Sequence, residues 1–163
     1  MSREIVLQHW VECESDVCAI WKGLSDTEWL NRAMGNAPLG VAAAPADGKA
    51  ARYVVKTRLG GFEVTWSEQP YEFDFMKSLK VRRDMHSGPI ERLDIAYLTE
   101  AKGLNSRVSV SLTLWPRSIF LAPIVRLSAS GTLKKLADAI SLLDQALVRN
   151  GKPPSLPPSH PVH

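Results

Sequence analysis

The chain has 163 residues, of which 45% are apolar and 23% charged, with a net charge of +3 at pH 7. That length suits one domain with a real hydrophobic core, and the composition excludes a wholly disordered chain. The positive charge is modest and its carriers are scattered. Lys80, Arg82 and Arg83 form the densest group, which reads as a solvated strand face rather than a nucleic-acid surface.

Cys13 and Cys18 are the only two cysteines. Their spacing is not a zinc pattern, no second pair exists, and two reduced thiols suit the cytosol. The N-terminus has no apolar signal run, and no window approaches the roughly 18 apolar residues of a membrane span. The expectation is a cytoplasmic protein with no metal, no cofactor, no nucleic-acid partner and no stable membrane insertion.

Along the chain, Ile5, Leu7, Val11 and Cys13 alternate with polar residues, a period of two that predicts a strand. His9 lies on the apolar face and reads as a satisfied core histidine. Ser15 is the expected N-cap of a first short helix carrying Val17, Ile20, Trp21 and Leu24. Ser25 and Glu28 form a capping-box pattern for a second, carrying Trp29, Leu30 and Met34 and ending at Gly35. Asp47-Gly48 marks a turn. Tyr53, Val55, Thr57 and Leu59 then share one strand face, Gly60-Gly61 turns, and Phe62, Val64 and Trp66 share a face of the next strand. Pro70 ends that strand or places it at an edge. Residues 71–78 read as a wide connection.

Leu79, Val81, Arg83 and Met85 alternate in the following strand, and His86-Ser87-Gly88-Pro89 turns. Leu93, Ile95 and Tyr97 share the next face. Lys102-Gly103 turns again, before Val108, Val110, Leu112 and Leu114 in the clearest strand of the chain. A long helix follows over residues 119–149. Its apolar stripe runs Leu133, Leu136, Ile140, Leu143 and Leu147, with Asp138 and Asp144 mainly off it. Pro123 fits its first turn, Asn150-Gly151 stops it, and Gly131 marks a kink or a close approach to the sheet. Residues 151–163 form a Pro-rich tail or linker beyond a domain spanning 1–150.

Segregated strands and helices predict an α+β fold. It is a curved antiparallel sheet of about seven strands, with two short helices after the first strand and one long C-terminal helix over the sheet.

Val17, Ile20-Trp21, Leu24, Asp26 and Trp29-Leu30 resemble the opening motif of the SRPBCC domains, also called START-like or Bet v 1-like. Trp66, Glu68 and Pro70, then Val81, Arg82-Arg83 and Ser87-Gly88-Pro89, resemble a branch of that superfamily often found ahead of adenylate/guanylate cyclase domains. The resemblance covers nearly all of residues 4–149 and identifies fold better than activity. It implies the helix-grip fold, with a cavity between sheet and helix for lipids, polyketides, sterols or other apolar ligands.

The expected lining is Trp66, Glu68, Val81, Arg83, Tyr97, Val110, Leu112, Leu136 and Ile140, although any one of these can simply be core. Arg83 stands out, because a buried guanidinium needs an acidic partner or ligand. Glu68 is the candidate partner, either in a fixed pair or beside an anionic head group. A register slip of one residue would make Arg82 the inward residue instead.

Three functions stay open. The first is binding of a hydrophobic small molecule or lipid, as a regulatory module with room for a protein partner or fused signalling domain. The second is a polyketide cyclase/dehydratase-like enzyme using Arg83, Tyr97 and either His86 or Glu68. The third is an interaction domain with a filled core. No catalytic residue is assigned, since no nucleophile elbow, Walker loop or Rossmann glycine pattern is present.

Overall fold

The computed structural model describes residues 4–35, 40–43, 53–59 and 62–155. The expected turns at Asp47-Gly48 and Gly60-Gly61 and the tail from residue 156 lie outside the described residues.

The alternating first segment forms β1, Ile5–Cys13. Two short helices follow, α1 (Val17–Leu24) and α2 (Thr27–Ala33). Their caps sit one residue beyond the expected serines. Ser15 is buried, and its N–H donates to Asp144 Oδ1 at 2.9 Å, so Asp16 caps α1 by accepting from the Ala19 N–H. Ser25 donates back to the Trp21 carbonyl, so Asp26 caps α2 by accepting from the Trp29 N–H.

The remaining strands are β2 (Gly40–Ala43), β3 (Tyr53–Leu59), β4 (Phe62–Glu68), β5 (Glu72–Asp74), β6 (Ser78–Met85), β7 (Ile90–Lys102) and β8 (Asn105–Pro116). Seven are ordered β1-β8-β7-β6-β4-β3-β2, every pairing antiparallel, and β5 pairs with β6 off this path. Two details depart from expectation. The connection at 71–78 contains β5, which turns at residues 75–77 into a hairpin with β6. Strand β2 was not expected, because its Gly-Val-Ala-Ala sequence carries little strand preference.

The register fixes which side chains point inward, since residues directly opposite share a face. Ile5, Leu114, Leu93, Arg83, Glu68 and Tyr53 form one row across six strands. Leu7, Leu112, Ile95 and Val81 form a second row. His9, Val110, Tyr97 and Leu79 form a third. His9 is nevertheless exposed, contrary to its reading as a core histidine. Its strand is the sheet edge, where one side of the residue has no neighbouring strand.

After a 3-10 turn at Ile119–Leu121, the long helix α3 runs continuously from Ala122 to Asn150. It packs on β1, β8 and the two short helices. Its buried stripe is Val125, Ala129, Leu133, Leu136, Ile140 and Leu143. Gly131 causes neither expected effect: the helix passes through it, and an added Cβ would meet nothing within 4 Å. The close approach occurs at Gly23 in α1, where a Cβ would lie 2.3 Å from Leu143 Cδ2. Asp144 is also placed differently from expectation. It is buried and accepts from the N–H groups of Glu14 and Ser15, pinning the end of α3 to the β1–α1 junction. Gly151 then ends α3 in the left-handed conformation at φ 66°.

Candidate functional site

The inner face of the sheet divides into two parts. Under α3, Val110, Leu112, Leu136 and Ile140 are 0–2% exposed and belong to one continuous apolar core with Ile5, Ile20, Leu24 and Leu143. Tyr97, 4% exposed, belongs to the same cluster, so five of the nine expected lining residues are packed core.

Trp66, Glu68, Val81 and Arg83 lie on the part of the sheet that continues past β7. Trp66 and Val81 are 3% and 2% exposed yet fall outside that core cluster. Trp66 and Glu68 stand two apart on β4, so alternation gives them one face, and Arg83 is directly opposite Glu68 on β6. Glu68 Oε2 accepts from Arg83 Nε at 3.0 Å and from Trp66 Nε1 at 3.0 Å. Glu68 Oε1 accepts from the Tyr71 hydroxyl at 2.5 Å. The Arg83 guanidinium stacks over the Trp66 ring, 4.8 Å from its centroid. Arg83 is thus the inward arginine and Glu68 is its partner.

Tyr71 was not among the expected site residues. It follows Pro70, where the chain leaves β4 and crosses to β5, and the irregular backbone there hid its direction from any periodicity. Its hydroxyl lies 3.5 Å from Thr27 Oγ1, linking the cluster to α2. Burial and the bond to Glu68 raise the Tyr71 pKa.

Two further hydroxyls face this side. Tyr97 is 4% exposed, and no hydrogen bond to its hydroxyl occurs among the described residues. Burial pushes its pKa up to about 12, against the opposing influence of Arg83. Thr57 Oγ1 on β3 is buried without a hydrogen-bond partner. Buried polar atoms are rarely left so.

Of the groups invoked for an enzyme, Arg83 and Glu68 meet and Tyr97 faces the same side, but His86 does not join them. His86 is exposed and bonds Ser67 Oγ at 2.7 Å, and Ser67 alternates with the inward Trp66 and Glu68 onto the outer face. Glu68 already accepts three hydrogen bonds, from Trp66, Tyr71 and Arg83. Among the described residues no cluster of His, Cys, Asp and Glu could hold a metal ion.

The outer face answers the basic group noted in the sequence. Asp94 is buried there and takes a two-pronged bond from Arg92, at 2.8 and 2.6 Å, with Arg82 and Lys80 at 3.4 and 3.5 Å. Burial works to raise the Asp94 pKa, but the surrounding cations hold it below the usual value. Two open depressions also occur among the described residues, and neither lies between sheet and helix. One, of about 540 Å³, lies between the β1–α1 junction and the end of α3, and one of about 280 Å³ is lined by Tyr71, Lys80 and Arg82.

No family model matches the sequence, and no curated protein matches it. Solved structures do match the fold. A START superfamily protein from Mycobacterium smegmatis superposes with a TM-score of 0.67 at 16% identity, covering 87% of this chain and 98% of that one. The Zhui aromatase/cyclase from Streptomyces sp. R1128 gives 0.65 at 10% identity, over 91% and 98% of the two chains. A truncated norcoclaurine synthase from Thalictrum flavum gives 0.63 at 20% identity, over 91% and 95%. The chain therefore has the helix-grip fold of START-like, SRPBCC-type proteins.

Proposed function

We propose that the protein binds an apolar small molecule bearing an acidic group, on the inner face of β3, β4 and β6 with Arg83 as its polar anchor. The carrying observation is the state of Arg83. Its Nε is held by Glu68 and its flat face by Trp66, while its two terminal nitrogens make no hydrogen bond among the described residues. A guanidinium locked at one edge presents the other to a ligand with little further loss of freedom. Thr57 and Tyr97 add two hydroxyls that a ligand could satisfy, and Val81 and Trp66 supply apolar surface. This mix of mostly apolar wall and a few placed polar groups is what small-molecule sites use. The solved structures with this fold include an aromatase/cyclase and a norcoclaurine synthase beside a START superfamily protein, so fold alone does not choose the ligand.

The test is titration with a fluorescent long-chain carboxylate and its matching alcohol, on wild type and Arg83→Gln. Saturable binding of the carboxylate, weakened about tenfold or more in the variant, is expected from loss of a charged hydrogen bond. The alcohol should lose much less. Equal loss for both ligands would remove Arg83 as the anchor, and no saturable binding of either would remove the proposal.

A further inference from the structure

Among the described residues, a run of exposed apolar side chains lies on the back of α3, away from the sheet. Phe120, Ile124 and Leu127 are 88%, 65% and 77% exposed, and Ile119 beside them is 61% exposed. Steps of four and three residues put Phe120, Ile124 and Leu127 on one face of the helical segment. That face is opposite the buried stripe of Val125, Ala129, Leu133 and Leu136. The first turns of α3 are thus apolar on both sides, which core packing does not require.

Along the stripe itself the charge has one sign, and the first acid on this face is exposed Asp138, one turn beyond Lys134. From residue 101 to residue 137 the sequence holds no Asp or Glu. Arg117 and Arg126 flank the exposed apolar residues, and Lys134 and Lys135 follow about two turns beyond Leu127. All four are exposed. Exposed apolar side chains set among cations are the pattern of a helix that lies in the headgroup region of an anionic bilayer. No helix among the described residues is long and apolar enough to cross a membrane, so the contact would be peripheral.

We infer that the start of α3, from Ile119 to Leu127, is a docking surface for anionic lipid bilayers. Phe120, Ile124 and Leu127 enter the headgroup–acyl boundary, and Arg126, Lys134 and Lys135 meet the lipid phosphates. The inference is independent of whether the inner face holds a ligand.

The experiment is co-sedimentation with vesicles of phosphatidylcholine alone and with 30% phosphatidylglycerol (about one anionic lipid in three). It compares the full chain with the triple variant Phe120→Ser, Ile124→Ser, Leu127→Ser and with the double variant Lys134→Ser, Lys135→Ser. These side chains are exposed, so the melting temperature should hold and a lost interaction is not a lost fold. Wild type should bind the anionic vesicles at least about tenfold more tightly than the neutral ones. The triple variant should lose binding, and the double variant should lose most of the preference for anionic lipid. Wild type that fails to sediment, or a triple variant that binds as well as wild type, overturns the inference. So does a wild type that self-associates through this stripe without binding vesicles, since the occupant would then be a second copy of the chain.

Discussion

Gly23 has no room for a side chain. A Cβ there would lie 2.3 Å from a methyl of Leu143, which is itself wholly buried and has nowhere to go. Gly23→Ala should cost about 1–3 kcal/mol by overpacking. The cost should shrink when Leu143→Ala is made in the same chain, because the two changes share one space. Denaturant unfolding of both singles and the double checks this; strict additivity would contradict the contact. Nothing in the sequence marked this glycine, since its reason is a neighbour 120 positions away. Gly131, which did interrupt a pattern, meets nothing.

Asp144 makes the same point with charge. Read along the helix, it is one more polar residue; in the fold its two oxygens each accept from a backbone N–H of the β1–α1 junction. Asp144→Ala leaves two donors without a partner and should cost roughly 3 kcal/mol, or about 6–12 °C of Tm. A loss under 1 °C in thermal unfolding would contradict that role. Beside it, Cys13 is 3% exposed, and burial with the nearby Asp144 pushes its pKa from 9.0 to about 12. Between those values the folded chain keeps a proton that the unfolded chain has lost. The stabilisation is complete below pH 9 and disappears as pH rises toward 12. Tyr97 acts in the same sense, from 10.0 to about 12. Tm should therefore fall steadily above pH 9, and Cys13→Ala should flatten the first part of that fall. A thiol reagent at pH 8 should label exposed Cys18 alone in the native protein and both cysteines after denaturation.

Among the elements, those with long, regular patterns were legible and those decided by a few contacts were not. The stripe of α3 and the alternation of β8 each repeat over several turns or pleats, and both elements stand within a few residues of expectation. The caps of α1 and α2 moved by one residue because Ser15 and Ser25 had other partners, in Asp144 and the Trp21 carbonyl. Strand β5 has three residues, all exposed, too few to display a period. It is held by its pairing with β6 and by the hairpin tip, where Phe75 meets the edge of Trp21 at 6.1 Å between centroids. The Thr99 hydroxyl also donates to the Met76 carbonyl at 2.7 Å. Thr99→Val keeps the shape and removes that bond. It should cost about 1 kcal/mol and loosen this hairpin before the rest of the sheet, as hydrogen exchange at residues 72–80 would show.

Across the whole molecule, the helix-grip architecture follows from a mismatch of widths. Helix α3 covers β1 and β8, while the sheet runs on through β7, β6, β4 and β3. The side chains that continue past the helix are those where polar groups gather: Glu68, Arg83, Thr57 and, at the boundary, Tyr97. The inward direction of Arg83 and its partnership with Glu68 were legible because both rest on period-two alternation. Tyr71 was hidden by the irregular crossing after Pro70. The division of the expected lining into packed core under α3 and an inner face beyond it was also hidden, because it depends on where α3 lies across the sheet. The Glu68 cluster should matter for the fold as well as the ligand. Glu68→Ala strands Arg83, Trp66 Nε1 and the Tyr71 hydroxyl, and should cost about 3 kcal/mol or more in equilibrium unfolding.

The most direct test of ligand binding is the mass of the purified native protein set against its denatured mass. A reproducible extra mass in wild type, released on denaturation and depleted in Arg83→Gln, is the expected result. A native mass equal to the denatured one, together with no saturable uptake of an added long-chain carboxylate, would contradict the account and leave a filled core in its place.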